Sequence, residues 1–304
     1  MQVRHLEVAR KPHPEDVPYW KFVVDQWYAS IFRPKIRLNV MFPWGLKEFS
    51  KFYAVAAVYY VVGSILPILL IFGAVILGLR MAPETLWPYV ATPDGHPNMV
   101  VVLTATLASF LCGFGLEVLY MNKQLRKQGM NISQVLALNL NSLNGSWGEA
   151  FKRSLVAFGI SLLIQVSLEH LPMPKPHQAT ADMASHLDGG GMVGFILLAS
   201  IMAPFFEEVI FRGFVFNAFR NIFTEGRIFT MIGSSRRAAD YAAIVLSSLL
   251  FAAAHMDPGA FIHLFAIGVV LAELYRRSGT LVCPMMLHAM NNLLATVLIA
   301  AGKQ

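Results

Sequence analysis

Long uninterrupted stretches of apolar residues dominate this chain. The first covers residues 52–79 and contains no charged residue. At about 1.5 Å per residue, a helix of that length crosses the roughly 30 Å hydrocarbon core of a bilayer. Similar runs follow at 99–116, 154–168, 189–206, 241–254, 258–272 and 280–301. The pattern predicts an all-α, polytopic membrane helix bundle with about seven (six to eight) transmembrane helices.

Composition narrows the class of protein further. The 304-residue chain is 56% hydrophobic and only 14% charged, whereas soluble domains carry about 25% charged residues. A single soluble globular domain is therefore excluded. The two cysteines, Cys112 and Cys283, both lie in apolar runs, which excludes a disulfide framework and a cysteine-based zinc site.

The net charge is +6, and the distribution of the basic residues along the chain indicates membrane topology rather than a nucleic-acid surface. Lysine and arginine are frequent in residues 1–50, 121–153 and 217–240, but 81–98 has none and 171–190 has only Lys175. Since basic loops stay on the cytoplasmic side, the N-terminus is predicted to be cytoplasmic. We therefore expect an integral multi-pass protein of the cell membrane, with lipids and not nucleic acid as partners.

The chain divides into three predicted parts. Residues 1–50 are basic and aromatic, which suits a cytoplasmic or membrane-interface segment. Residues 51–189 hold the N-terminal membrane helices and loops, in which Glu117 and Glu169 are predicted to end their spans at the membrane interface. Residues 190–304 form a catalytic-type membrane core, because most ionisable side chains inside apolar runs lie there.

The first polar group of this core is Glu207, Glu208 and Arg212, which interrupt one apolar segment. In a helix Glu208 and Arg212 are four residues apart and face one another as an ion pair. Glu207 lies about 100° away around the helix and lacks that direct partner. Its position therefore suits a proton acceptor.

Two further groups follow on later runs. His255 comes four residues after Phe251, and His288 and Asn292 share one helical face. Glu207 and His255 are placed to hold and deprotonate a water, and the His/Asn pair to stabilise an oxyanion. Counted from the cytoplasmic helix ends, His288 lies about 12 Å and His255 about 25 Å up. The site therefore requires tilted helices or a later start of the helix that carries His255.

Together these groups resemble the CAAX protease and bacteriocin-processing family of intramembrane proteases, which includes type II CAAX prenyl endopeptidases. The family pattern is Glu-Glu-x-x-x-Arg, then Phe-x-x-x-His, then His-x-x-x-Asn. The matching residues are Glu207, Glu208 and Arg212, then Phe251 and His255, then His288 and Asn292. The resemblance covers residues 190–300 and departs from the family in the N-terminal half.

The resemblance implies an intramembrane endopeptidase that cuts a peptide bond near the cytoplasmic side of the membrane. It assigns water activation to Glu207 and His255, and the oxyanion hole to His288 and Asn292. Its substrate is expected to be a peptide or a membrane-anchored protein, including a prenylated one. The supporting residues are then Glu208, Arg212 and Phe251.

No cofactor is required by these residues. The family has long been labelled metalloprotease, and a divalent metal such as zinc would have Glu207, His255 and His288 as its candidate ligands. The chain has no His-Glu-x-x-His motif, which is the pattern that usually identifies such a site.

Two other functions use the same residues differently. A non-proteolytic membrane scaffold or regulator would keep the fold and bind a partner helix. A transporter would use Glu207, His255 and His288 as a proton path, but the chain shows no inverted repeat. A scaffold is expected to tolerate Glu207→Gln, whereas a protease is expected to lose its activity with folding unchanged.

Overall fold

The computed structural model describes residues 50–51, 53–59, 61–63, 65–66, 69, 73, 99–127, 129–130, 132, 136–170, 189–225 and 236–302. These residues form helices and turns, without a strand among them. The predicted all-α class is confirmed. The N-terminal segment 1–50 and most of the run 52–79 lie outside the described residues.

Seven helices are present in the described part of the chain. They are α1 (Tyr53–Gly63), α2 (Met99–Lys127), α3 (Trp147–Glu169), α4 (residues 189–225), α5 (Arg236–Ala254), α6 (Phe261–Ser278) and α7 (Val282–Ala301). A short 3₁₀ turn, Asn141–Leu143, precedes α3.

Five of these helices are long and apolar enough to cross a membrane: Leu103–Lys127, Trp147–Glu169, Gly191–Thr224, Arg237–Ala254 and Val282–Ala301. The protein is therefore a multi-pass integral membrane protein. Helix α6 is not among the five, because Glu273, Arg276 and Arg277 make its last turns strongly charged. The cytoplasmic N-terminus and the three predicted parts stay predictions.

Helix α3 begins earlier than the apolar run that predicted it. The run starts at Ser154, but the helix starts at Trp147, where the Ser146 side chain accepts a hydrogen bond from the Glu149 backbone N–H. This is the reciprocal spacing of a capping box, which satisfies an otherwise unpaired donor of the first turn. The polar first turns are therefore helical as well.

Helix α4, which carries the glutamate motif, contains two π-helical segments. Its segments are Gly189–Leu197, a π-helical Leu198–Met202, Ala203–Glu208, a π-helical Val209–Phe216, and Asn217–Glu225. The first π segment directly precedes Pro204, whose missing N–H removes a regular hydrogen bond. The two glutamates thus lie on a short α-helical turn between two widened segments.

Two asparagines satisfy backbone carbonyls in these widened segments. The Asn292 amide donates to the Ala199 carbonyl at 2.8 Å in the first. The Asn217 amide lies within 3.1 Å of the Arg212 and Gly213 carbonyls in the second. Since a bilayer interior offers no water to pair such groups, these side chains stabilise the irregular winding.

Helices α5 and α6 approach each other closely at Gly268. A Cβ atom on Gly268 would lie 3.0 Å from the Ser248 Cβ and 3.3 Å from the Phe251 ring. The absence of a side chain therefore allows the two backbones to come together. The close contact also brings the Gly268 carbonyl to the buried Arg212.

Candidate active site

The predicted ion pair on α4 is present and fully buried. Arg212 Nη1 donates to Glu208 Oε1 at 2.9 Å, and both side chains are 0% exposed. A second guanidinium nitrogen, Nη2, donates to the Gly268 carbonyl at 3.1 Å. The guanidinium also lies 4.5 Å from the centre of the Phe251 ring. Arg212 therefore joins α4 to both α5 and α6.

His288 joins this pair from α7. Its Nδ1 lies 2.8 Å from Glu208 Oε1, across a separation of 80 residues. Because the carboxylate is an acceptor, the Nδ1 atom carries the proton of this hydrogen bond. The Nε2 atom is then directed towards Glu207 Oε2, at 3.8 Å. We call Glu208, Arg212, His288 and Phe251 the support cluster.

His255 is oriented by the backbone of its own helix. Its Nδ1 lies 2.8 Å from the Phe251 carbonyl. A carbonyl can only accept, so Nδ1 carries the proton and a neutral ring leaves Nε2 as an acceptor. That Nε2 atom lies 3.9 Å from Glu207 Oε2. We call Glu207 and His255 the water-site pair.

Both histidines therefore converge on one glutamate oxygen. Glu207 Oε2 is buried and has no hydrogen-bond partner among the described residues. The separations of 3.8 and 3.9 Å to the two Nε2 atoms are too long for direct hydrogen bonds. Polar atoms at such separations are commonly bridged by a water. The arrangement suits a water held by Glu207 and His255.

The two histidines lie close together, although the sequence placed His255 and His288 at different heights above the cytoplasmic helix ends. Helix α5 begins at Arg236, so a later helix start does not account for the position of His255. His255, at the end of α5, and His288, in the second turn of α7, nevertheless approach the same Glu207 oxygen. The packing of the helices therefore brings the two histidines together.

Asn292 lies one turn beyond His288 on α7, as predicted, but its amide donates to the Ala199 carbonyl. The His288 Nδ1–H likewise has its own partner, Glu208. In this structure each of the two donors thus makes a separate hydrogen bond. An oxyanion hole would use the second amide N–H of Asn292 and a proton on His288 Nε2.

Phe251 lies at the centre of the site. Its buried ring packs edge-to-face on Phe211 at 5.3 Å, His255 at 4.8 Å and His288 at 5.7 Å. It also lies under the Arg212 guanidinium. The ring therefore fixes the orientation of both histidines, in addition to the carbonyl contact with His255.

The water-site pair opens onto a cavity of about 320 Å³. Apolar and aromatic side chains form most of its lining, with four titratable side chains among them. The lining residues are Tyr53, Ala57, Phe110, Phe114, Glu117, Glu207, Ile210, Phe211, Ala254 and His255. The exposed fraction is 22% for the Glu207 side chain and 32% for His255. A bound molecule can therefore reach the water-site pair.

The prediction for Glu117 was wrong. Helix α2 continues for ten residues beyond it, to Lys127, and Glu117 lines the cavity with only 4% exposure. The end of the uncharged run at 116 suggested an interface position. The polar continuation of the helix and its packing against α4 could not be read from one apolar run.

The three candidate metal ligands do not form a metal site in this arrangement. Within the described ranges no group of three His, Cys, Asp or Glu side chains has the spacing to hold an ion. The Nδ1 atoms of His288 and His255 have hydrogen-bond partners, and their Nε2 atoms face Glu207. That no cofactor is required stays a prediction.

These features define a class of protein: a multi-pass helical membrane protein with a buried Glu/Arg/His cluster beneath a cavity-facing Glu/His pair. Residues 189–294 match the family described as type II CAAX prenyl endopeptidase Rce1-like. The membrane-embedded CAAX protease MroQ of Staphylococcus aureus (strain USA300) is 33% identical over 98 residues, which cover 32% of this chain and 36% of that protein. No solved structure matches.

The C-terminal part of the chain is therefore similar to the CAAX protease family, as the motifs indicated. The matched residues span about a third of MroQ. Helices α1, α2 and α3 lie outside the region that the family describes.

Proposed function

We propose that this protein is an intramembrane endopeptidase. It hydrolyses a peptide bond near the cytoplasmic side of the membrane. The substrate is a peptide or a membrane-anchored protein, and prenylated proteins are among the substrates proposed. One observation carries the proposal: Glu207 and His255 both line the cavity, and their acceptor atoms Oε2 and Nε2 lie 3.9 Å apart without a direct hydrogen bond. Two acceptors at this separation are suited to polarising one water.

In the proposed reaction the water donates one hydrogen bond to the Glu207 carboxylate and one to His255 Nε2. The water oxygen then attacks the peptide carbonyl, and Glu207 accepts the released proton. A new C–O bond forms while the carbonyl π electrons move onto its oxygen. Collapse of this intermediate breaks the C–N bond, and Glu207 passes the proton to the leaving amine.

His288 and Asn292 stabilise the oxyanion in this proposal. Because His288 Nδ1–H is held by Glu208, a second proton on Nε2 makes the ring cationic, and the Glu208 carboxylate stabilises that charge. Asn292 contributes the amide proton that Ala199 does not use. Removing a donor of this kind costs about 10²–10³ in kcat.

The test compares wild type with Glu207→Gln and His255→Ala, each purified in detergent. The proteins are incubated with fluorogenic peptides, prenylated and unprenylated, with and without a chelator. We expect cleavage by wild type, its loss in both variants, and its survival in chelator. Loss of cleavage in chelator would contradict the metal-free mechanism. If the Glu207→Gln variant kept its full cellular function, the protease proposal would be wrong, and the protein would be a membrane scaffold or regulator.

A further inference from the structure

The cavity lining comes from two different parts of the chain. Helices α4 and α5 supply the water-site pair and lie within residues 189–294, the region that the family describes. Helices α1 and α2 supply Tyr53, Ala57, Phe110, Phe114 and Glu117, all outside it. The water-site pair therefore lies in the part of the chain that resembles the family, and the remaining lining lies outside that part.

Glu117 is the unusual member of this second group. It is only 4% exposed, and the described part of the chain gives it neither a hydrogen bond nor an ion pair, although the Tyr53 phenol lies near enough to interact electrostatically. A buried carboxylate is costly unless a cation or a hydrogen-bond donor meets it. The missing partner is therefore expected to enter the cavity with the bound molecule.

Aromatic packing between α2 and α4 fixes the position of Glu117 relative to Glu207. Phe206, immediately before Glu207, stacks on Phe114 at 4.4 Å and packs edge-to-face on Phe110 at 5.5 Å. Both phenylalanines precede Glu117 on the same face of α2, at helical spacings of three and seven residues. The aromatic cluster thus fixes the carboxylate relative to the water-site pair.

We infer that Glu117 selects the substrate by binding a lysine or arginine side chain of the peptide beside the bond that is cut. This inference rests on the proposed function. A carboxylate forms its strongest hydrogen bonds with such a cation, and the nearby phenylalanine rings attract it further. An acidic substrate residue would meet two carboxylates, Glu117 and Glu207. A wholly apolar substrate would leave Glu117 without a partner.

The first test measures binding without cleavage, in the full chain carrying Glu207→Gln. Fluorescent apolar peptides contain one lysine, one norleucine or one glutamate, moved along the sequence. At one position we expect the lysine peptide to bind about tenfold more tightly than the norleucine peptide, which equals one decade in Kd. Adding Glu117→Gln removes the difference, whereas adding Glu169→Gln, at the exposed end of α3, keeps it. Equal binding of the two peptides, or a preference that survives Glu117→Gln, would overturn the inference.

The second test measures cleavage of the same peptides with Glu207 intact. We expect the lysine-to-norleucine ratio of kcat/KM to fall in Glu117→Gln and to invert towards the glutamate peptide in Glu117→Lys. If wild type binds with the expected preference but cleaves nothing, the proposed function fails and the binding site stands. If it cleaves without regard to the basic residue or to Glu117, the selection fails and the protease stands.

Discussion

The support cluster and the water-site pair share helices α4 and α5, and α7 adds His288 to the support cluster, yet their two glutamates have different surroundings. Glu208 is fully buried and accepts hydrogen bonds from Arg212 and His288. Glu207, the preceding residue, lines the cavity, and no described residue forms a hydrogen bond with it. Each glutamate has a buried Oε2 atom without a hydrogen-bond partner, but only Glu208 is held by charged hydrogen bonds within the protein, both at its Oε1 atom.

This difference separates positioning from reaction. A buried and paired charge is expensive to disturb, because removing one partner leaves the other unpaired. An unsatisfied group on a cavity wall is free to bind water and exchange a proton. The comparison therefore assigns folding to the Glu208–Arg212 pair of the support cluster and water activation to the water-site pair, and the following changes are designed to test that division.

The largest effect is expected from Glu207→Gln. The amide keeps the size of the side chain but removes its basicity, so peptide cleavage should fall about 10²–10⁴-fold, as for other general bases. The thermal unfolding midpoint, followed by circular dichroism in detergent, should match wild type. Glu208→Gln is the matched control, and it should lower the midpoint. Equal midpoints for the two variants would show that the two carboxylates are not divided in this way.

Arg212→Met is expected to act on stability alone. It leaves Glu208 buried without its cation, which costs about 3–5 kcal/mol of unfolding free energy. Thermal or denaturant unfolding in detergent measures the loss. Arg237→Met, at the exposed start of α5, removes the same charge and should change stability little. If both arginine variants behaved alike, the buried ion pair would not be a principal support of the fold.

Asn292→Ala is expected to lower both the stability and the cleavage rate by a moderate amount. Losing the hydrogen bond to Ala199 costs about 0.5–1.5 kcal/mol of stability. Losing an oxyanion donor costs about 10²–10³ in kcat. Unfolding and single-turnover cleavage are measured on the same preparation. A loss of stability with unchanged cleavage would restrict Asn292 to bracing the π-helical segment.

The smallest combined effect on stability and cleavage is expected from Gly268→Ala. The added methyl would lie 3.0 Å from the Ser248 Cβ, and such overpacking costs about 1–3 kcal/mol. Gly159→Ala is the control, since nothing lies within 4 Å of its added atom and alanine is favoured in a helix interior by about 0.5–1 kcal/mol. Destabilisation by Gly159→Ala and not by Gly268→Ala would contradict the close contact of α5 and α6.

The site could be predicted from the sequence where it depends on spacing within one helix. The Glu208–Arg212 pair follows from a four-residue interval, and the structure contains it. The hydrogen bond between His288 and Glu208 joins residues 80 positions apart in the sequence. It depends on how the helices pack, and no local sequence pattern describes that packing. The approach of His255 and His288 to the same Glu207 oxygen is a property of packing as well.

The N-terminal half was predictable only as membrane helices. The run at 99–116 identified α2, but its apolar pattern did not reveal that Glu117 faces the cavity. That depends on the stacking of Phe114 on Phe206, from a helix about 90 residues away in the sequence. Nor did periodicity indicate the two π-helical segments of α4, although Pro204 is a local signal for the first.

A double-mutant cycle of Glu207→Gln and His255→Ala tests the central claim most directly. Residues that act as one unit on a single water show non-additive losses, because the first change already removes the function of the second. The account predicts that the double variant cleaves peptide about as slowly as the slower single variant, with wild-type unfolding in all three. Losses that multiply, so that the double variant falls by the product of the two, would show that Glu207 and His255 act independently.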